Sequence, residues 1–272
     1  MKKSLLMVLV FTAVCFFVSA ESLRVMSWNL EDMDIFDGNG MSRVQWQVEA
    51  EKKIAEVIKN VNPDILFIPE APSLVELQYF VRHNGLDYYV IQERQQSGRR
   101  SYADGMAVLS RIAPLSAELA DPPVPGSGRS PDKAYLDWSF RGLLVVEYSG
   151  FTVVGVHLKS PWDGKITSYQ KRLAQSEGLL NYIEKINNPV IVLGDFNDSP
   201  GLDEKEKLYG LPDTIGLIGR QLERAPGDEP TQQRGYNLDH IFAAKASTGR
   251  RHVVETGWDI SDHRPVWSDI NY

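Results

Sequence analysis

The stretch Val190-Ile191-Val192-Leu193-Gly194-Asp195-Phe196-Asn197-Asp198-Ser199-Pro200 decides how the chain is read. Four consecutive apolar residues, mostly β-branched, follow Pro189 and read as a strand buried on both faces. The apolar run breaks at Gly194, and a carboxylate, a carboxamide and a second carboxylate then precede a Ser-Pro turn. Asp and Asn are ordinary turn residues, so a plain exit from a strand would look similar. A cluster of oxygen ligands at the end of a core strand also places those groups on the rim of a sheet, where a rigid element can hold them.

Working outward, a helix from Ser168 to Ile186, with Leu173, Leu180 and Ile183 on one side, feeds this strand. Before it, strands at 143–148 and 152–158 form a hairpin about Ser149-Gly150. Near the start, Leu23 to Leu30 alternates as a strand, and a helix from about Arg43 to Lys59 puts Ala50, Ile54, Val57 and Ile58 on one face. Asn62-Pro63 stops that helix, and Asp64 to Ile68 forms a second buried strand ending at Pro69-Glu70. Ser73 and Glu76 make a capping box for a helix that closes near Gly85. Strands at 88–92 and 106–110 follow, and short ones at 238–243, 252–255 and 265–269 finish the chain. Asp121 to Lys133, rich in Pro, Gly and Ser, reads as a long surface loop over the rim. Gly38-Asn39-Gly40 is no dinucleotide loop, because Arg43 stands where a third glycine would be, and no P-loop occurs. Strands outnumber helices and many neighbours are hairpins. The expected α/β fold is therefore mixed or antiparallel with helices outside, not a doubly wound dinucleotide fold.

Residues 1–20 carry two lysines, an apolar run from Leu5 to Val18 and the small-residue exit Val18-Ser19-Ala20. This is the layout of a secretory signal peptide cleaved after Ala20, so an exported protein, periplasmic or extracellular, is expected. The run is short for a transmembrane span, and no stable membrane insertion is expected after cleavage. Residues 21–272 then form a single catalytic domain, expected to be monomeric and large enough to rest on its own core. Cys15 is the only cysteine, which excludes disulfides, zinc-thiolate sites and cysteine nucleophiles from residues 21–272. The formal charge of −7 becomes −9 when Lys2 and Lys3 leave with the signal. A chain this acidic has no global attraction for nucleic acid, so any such binding needs a local basic strip or a bound cation.

The ends of the strands carry the chemistry. One ends at Asn29, one at Glu70, one at His157 and one at Asp195 with Asn197, while Asp262-His263 precedes the last. Asp239 sits inside another strand, where an unpaired carboxylate would be costly. Oxygen donors without thiolates suit a hard cation such as Mg²⁺, Mn²⁺ or Ca²⁺, and a carboxylate aimed at a histidine favours the imidazolium. These residue types point to metal-assisted hydrolysis of an anionic ester.

Six segments together resemble the endonuclease/exonuclease/phosphatase superfamily, which includes DNase I, abasic-site exonucleases, inositol polyphosphate 5-phosphatases and neutral sphingomyelinases. They are Ser27-Trp28-Asn29-Leu30, Ile68-Pro69-Glu70, His157-Leu158-Lys159-Ser160, Gly194-Asp195-Phe196-Asn197, Leu238-Asp239-His240-Ile241 and Ser261-Asp262-His263-Arg264-Pro265-Val266. They keep the family's order. The resemblance implies a four-layer α/β sandwich of the DNase I-like kind, two mixed or antiparallel sheets packed face to face with helices outside. It implies Glu70 as the main metal ligand, helped by Asn29 and Asp262, with Mg²⁺ as cofactor. Asn197 would orient the scissile phosphate, Asp195 would position or deprotonate the attacking water, Asp239 would pair with His263, and His157 would lie near the leaving oxygen. Whether the base is Asp195 or the Asp239–His263 pair stays open. The family commonly has Gln-Glu where this chain has Pro69-Glu70, so a different local turn is expected. Glu31 is a supporting ligand or a solvated acid, Asp104 is a candidate partner for His157, and His240 is expected to pack rather than act.

His157-Leu158-Lys159-Ser160 is similar to the phrase found in exported nucleases of this superfamily. A phosphodiesterase of nucleic acid is therefore expected, with Arg99, Arg100 and Lys159 tracking phosphates and Trp162 stacking on a base. The alternative is a phosphatase or phosphodiesterase acting on a small or lipid-linked phosphate ester, of the inositol phosphate or sphingomyelin type.

Overall fold

Side-chain alternation along the strands sorts this chain into layers. The structure, a computed structural model, describes residues 21–31, 45–93, 105–123, 142–160, 165–199 and 214–272. The signal segment, Arg99, Arg100, Asp104, Trp162 and most of the loop from Asp121 to Lys133 lie outside the described residues.

One sheet contains β1 (Ser22–Ser27), β2 (Ile65–Ala71), β3 (Tyr89–Glu93), β4 (Gly105–Ser110), β11 (Ser247–Thr248), β12 (His252–Val253) and β13 (Val266–Asn271). Its order is β11-β13-β1-β2-β4-β3, with β12 also on β13. The second sheet contains β5 (Ser116–Ala120), β6 (Leu143–Glu147), β7 (Thr152–His157), β8 (Val190–Asp195), β9 (Glu223–Arg224) and β10 (Asp239–Ala244), in the order β5-β6-β7-β8-β10-β9. The helices are α1 (Gln45–Val61), α2 (Leu74–His83), α3 (Lys165–Ile183) and α4 (Thr214–Gly219).

Both sheets are built around one parallel pair, β1 with β2 and β7 with β8, and antiparallel strands flank each pair. Helix α1 makes the crossover in the first sheet and α3 in the second, as a parallel connection requires. The sequence shows no internal repeat, yet β13-β1-β2-β4-β3 and β6-β7-β8-β10-β9 have the same succession of orientations.

Three apolar layers hold the four-layer sandwich together. Leu23, Val25, Ile65, Phe67, Ile191 and Leu193 meet between the sheets. The alternate residues Met26, Leu66 and Ile68 pack under α1 and α2 with Ile54, Ile58 and Phe80. Val190 and Val192 pack under α3 with Leu179, Leu180 and Ile183. The run Val190–Leu193 is therefore buried on both faces, as its composition predicts. The predicted capping box on α2 forms, with the Ser73 amide donating to Glu76 Oε2 at 2.8 Å and the Glu76 amide to Ser73 Oγ at 3.3 Å.

The sheets approach closely beneath the rim. A Cβ on Gly155 would lie 2.1 Å from the Phe67 ring, and one on Gly194 would lie 2.0 Å from the Val156 carbonyl oxygen and 2.9 Å from the same ring. Phe67 of one sheet thus fills space that two neighbouring glycines of the other leave open.

Some elements were not legible from pattern alone. Edge strand β5 puts Ala117 and Leu119 toward the layer between the sheets and Ala120 toward the α3 layer, three partly buried residues among Ser and Glu that make a weak strand signal. Leu173 is only half-buried, because the first half of α3 buries Ser168, Arg172, Gln175 and Ser176 as well as apolar groups. Gly155→Ala should destabilise the protein by about 1–3 kcal/mol, read as a lowered urea midpoint. It should be partly rescued when Phe67→Leu is added, since the two residues share one contact. An unchanged midpoint for the single variant would refute this account of the sheet spacing.

Candidate active site

Strand polarity brings the site together. Parallel strands end on the same side, so the C-terminal ends of β1 and β2 deliver Asn29 and Glu70, and those of β7 and β8 deliver His157 and Asp195, to one rim. An antiparallel neighbour starts where its partner stops. Asp239, first in β10, lies opposite Asp195, and Val266 at the start of β13 lies opposite Ser27, which carries Asp262-His263 to the same edge. The result is a cavity of about 390 Å³ lined by Asn29, Glu31, Glu70, His157, Asp195, Asn197, Asp262 and His263, together with Ser160, Gln232, Arg234, Tyr236 and Leu238.

Asp239 is fully buried and paired. Its Oδ2 accepts His263 Nδ1–H at 2.7 Å and the Thr231 hydroxyl at 2.7 Å. Thr231 Oγ1 also accepts the amides of Leu238 and Asp239, at 3.0 and 3.2 Å. His263 is held from its backbone side by Trp28 Nε1–H, which donates to the His263 carbonyl at 3.1 Å, and by Ser261 Oγ, which accepts its amide at 3.0 Å. Ser261 in turn donates to the Asn29 carbonyl at 2.7 Å, so the segment 261–263 is fastened to the end of β1. The free edge of the imidazole, Nε2, lies 3.9 Å from Asp195 Oδ2 and 3.8 Å from Asp262 Oδ1. Burial alone would lower this imidazole, but the charge and hydrogen bond of Asp239, reinforced by Asp195 and Asp262, outweigh it and hold His263 up at about 10.

Asp195 is likewise fixed from several sides. Its Oδ1 accepts the Asn197 amide at 2.7 Å and its Oδ2 accepts Asn29 Nδ2–H at 3.2 Å. His157 Nε2 lies 3.7 Å from Asp195 and 3.3 Å from Glu70 Oε1, joining the acids delivered by the two sheets. Asn197 Nδ2 donates to the Leu158 carbonyl at 3.0 Å. Burial pushes the Asp195 carboxyl upward, opposed by His263 and assisted by Asp239, while the hydrogen bonds from Asn197 and Asn29 pull it down.

The backbone is strained at the same place. Glu31, Glu70 and Asn197 have φ of 48°, 54° and 49°, in a left-handed region that costs such residues of order 1–3 kcal/mol each. At Glu70 this accompanies a register shift between Ile68 and Ala71 of β2, so the Pro69-Glu70 variant of the motif is built as a bulge within the strand. The bulge turns Glu70 into the cavity.

Two groups of side chains have donor atoms for a metal. Asp195, Asp239 and His263 each bring one atom to within 4.8 Å of the others. There, however, the Asp239–His263 hydrogen bond already uses the facing atoms, and a cation would have to break it. Glu70, Asn29, Asp262 and Glu31 instead supply oxygens to the open cavity, with no thiolate among them. That donor chemistry fits a hard divalent ion. Asp262 is oriented for it by Gln232, whose Nε2–H donates to Asp262 Oδ2 at 3.0 Å.

All eight catalytic and metal positions expected from the sequence therefore meet at one rim. Lys159 does not line the cavity. It is half-buried, and α3 grips its backbone, Gln175 accepting its amide at 2.9 Å and Arg172 donating to its carbonyl at 3.0 Å. His240 packs, as expected: it is buried edge-on to Phe196, with Nε2 3.1 Å from the Asp198 carbonyl. Sequence reasoning passed over Thr231, Gln232, Arg234 and Tyr236. The signal available was their place between Pro230 and the Asn237-Leu238-Asp239 motif, since a buried acid needs polar neighbours close by.

Two sheets meeting in a rim of hard oxygen donors, amides and a carboxylate-held imidazole define a metal-dependent phosphoric ester hydrolase. The model of the Endonuclease/Exonuclease/phosphatase family matches residues 26–263, and the chain belongs to that family. Among solved structures, an endonuclease/exonuclease/phosphatase family protein from Bacteroides thetaiotaomicron is 17% identical with a TM-score of 0.61, covering 93% of this chain and 96% of its own. TDP2 from D. rerio, complexed with single-strand DNA product, is 15% identical with a TM-score of 0.62, covering 92% and 99%. An AP endonuclease from Archaeoglobus fulgidus is 16% identical with a TM-score of 0.58, covering 90% and 98%. Curated protein sequences returned no match. At these identities the likeness establishes the fold.

Burial lowers His240 to about 3, with the Arg251 charge adding to the effect. An unfolded histidine titrates near 6.5, so below that pH the unfolded chain binds a proton that the native protein refuses. Stability from this group is present above pH 6.5 and is lost as pH falls toward 3. Between pH 7 and 4.5 the wild type should lose about 2–3 kcal/mol more than His240→Gln. Parallel pH profiles of the two urea midpoints would rule this out.

Proposed function

We propose that the protein is an exported, Mg²⁺-dependent phosphodiesterase of nucleic acid, with its signal removed after Ala20. The observation that carries the reading is the buried Asp239–His263 pair, whose Nε2 faces Asp195 across the floor of a cavity edged by Glu70, Asn29 and Asp262. Glu70, Asn29 and Asp262 hold the divalent ion, which when bound stabilises negative charge on the phosphoryl oxygens.

The remaining chemistry falls to the chain's own groups. Asp239 is buried behind His263, its Oδ2 taken by His263 and Thr231, which leaves Asp195, on the cavity wall, as the carboxylate placed to receive the proton of the attacking water. Water attack forms one phosphorus–oxygen bond and breaks the opposite one, and charge accumulates on the equatorial oxygens. His263, ringed by three carboxylates, is held as an imidazolium and donates Nε2–H to one of those oxygens. Asn197, with its backbone amide held by Asp195 and its Nδ2 donating to the Leu158 carbonyl, presents the rest of its carboxamide to the phosphate. His157 keeps Glu70 and Asp195 in register from below. The DNA product in the TDP2 complex and the activity named for the Archaeoglobus fulgidus enzyme support a nucleic-acid substrate. Among the described residues no helix is long and apolar enough to cross a membrane.

His263→Ala and Asp195→Asn should each lower kcat by about a thousandfold or more on every substrate, and His263→Ala should also lower the melting temperature, because it leaves the buried Asp239 without its imidazole partner. Glu70→Gln should raise the Mg²⁺ concentration needed for half-maximal rate, and EDTA should abolish activity until Mg²⁺ is restored. Purified mature protein assayed on plasmid DNA, RNA, bis(p-nitrophenyl) phosphate, inositol phosphates and sphingomyelin decides the substrate. Hydrolysis of inositol phosphates or sphingomyelin in preference to both polymers would overturn the nucleic-acid reading, and full activity in His263→Ala would overturn the site.

A further inference from the structure

The residues around the cavity are mostly acidic or neutral. Glu31, Glu70, Asp195 and Asp262 all face it, and among the described lining residues Arg234 is the only lysine or arginine. A divalent ion at Glu70 accounts for one phosphate. Any further phosphate of a longer substrate would meet an acidic wall unless a separate cation received it.

Arg234 has the placement for that role. It is exposed, and its guanidinium has no hydrogen bond or ion pair among the described residues, whereas Arg224, Arg250, Arg251 and Arg264 are each tied to an acid. It sits on a turn, Gln232 to Tyr236, that is held tightly. The Gly235 amide donates to the Gln232 carbonyl at 2.9 Å, and the amides of Thr231 and Gln232 both donate to the Tyr236 carbonyl at 2.9 Å. The turn is also fastened to the centre of the site. The Gln233 amide donates to the Asp262 carbonyl at 2.8 Å, and the Gln232 side chain bridges the Arg234 amide, at 2.8 Å, and Asp262 Oδ2, at 3.0 Å. A free cation on a backbone pinned to Asp262 and His263 stands at a fixed offset from the reacting phosphorus, the condition for recognising a neighbouring group. Tyr236, 42% exposed on the same turn, gives this subsite an aromatic edge.

We propose that Arg234 binds a second phosphate of the substrate, next to the scissile one, and so sets a preference for nucleic-acid chains over lone phosphate esters. The inference rests on the phosphodiesterase reading above. Its test uses the mature protein with Mg²⁺, a dinucleotide with one phosphodiester, and the same dinucleotide carrying a methyl-capped phosphate at its 5′ or 3′ end. Wild type should prefer one capped form. Arg234→Gln should lose about tenfold more kcat/KM on that form than on the uncapped dinucleotide, as expected for a charged contact, and Arg234→Lys should keep most of the preference. The slope of log kcat/KM against log salt on a single-stranded oligonucleotide should also fall by about 0.7 in Arg234→Gln. Equal losses on capped and uncapped substrates, with an unchanged salt slope, would overturn the assignment of Arg234 and leave the hydrolase reading standing. A wild type that cleaves bis(p-nitrophenyl) phosphate but neither dinucleotide would overturn the second-phosphate site and the nucleic-acid substrate together, while inactivity on all three would remove the hydrolase reading itself.

Discussion

The carboxylate of Asp239 is the constraint on which the rim depends. It is an acid placed in the first position of a core strand with no exposure to solvent, and such a charge is costly unless it is paired and hydrogen-bonded, as Oδ2 is here. The donors come from separate parts of the fold: Thr231 from the segment before β10, and His263 from the approach to β13 in the other sheet. Removing one partner from a buried pair of this kind typically costs about 3–5 kcal/mol, so the pair ties the two sheets together as well as orienting the imidazole. The same contact that makes the fold coherent at this edge fixes which nitrogen of His263 faces the cavity.

Around that pair the site is assembled from stiff elements. Four strand ends and two strand starts supply the functional groups, and the strained φ values fall at Glu31 and Asn197, beyond strand ends, and at Glu70, in the bulge within β2. Strain of this size persists only when packing over-determines the backbone. Here the packing is the close approach of the sheets at Phe67, Gly155 and Gly194, directly behind the catalytic edge. A loosely packed sandwich would let Glu70 and Asn197 relax into ordinary conformations, and their side chains would leave the cavity.

The charge distribution follows the same logic. A chain of net charge −7 and pI near 5.3 must handle an anionic substrate with local devices. The cavity combines oxygen donors for a hard cation, an imidazole raised by surrounding carboxylates and, alone of the lysines and arginines among the described lining residues, the exposed Arg234. Acidic side chains can therefore serve the binding of an anion, by offering oxygens to a hard cation and by raising His263.

Much of this was legible in the residues themselves. The double-sided burial of Val190 to Leu193 follows from an unbroken β-branched run, the helix start at Ser73 from a capping box, and the identities of the site residues from motifs at strand ends, because those signals act over a few neighbouring positions. Other features were not. The edge strand β5, the matched succession of strands in the two sheets, and the placement of Thr231, Gln232 and Arg234 at the rim depend on partners remote in the chain or on a turn without a motif. By itself the sequence determined which polar and ionisable side chains close the strands and that rigid strands present them. Only the tertiary structure decided that Asp239 faces His263, that Glu70 turns inward through a bulge, and that the turn carrying Arg234 is fastened to Asp262, because those contacts are set by strand polarity, register and the packing of one sheet on the other.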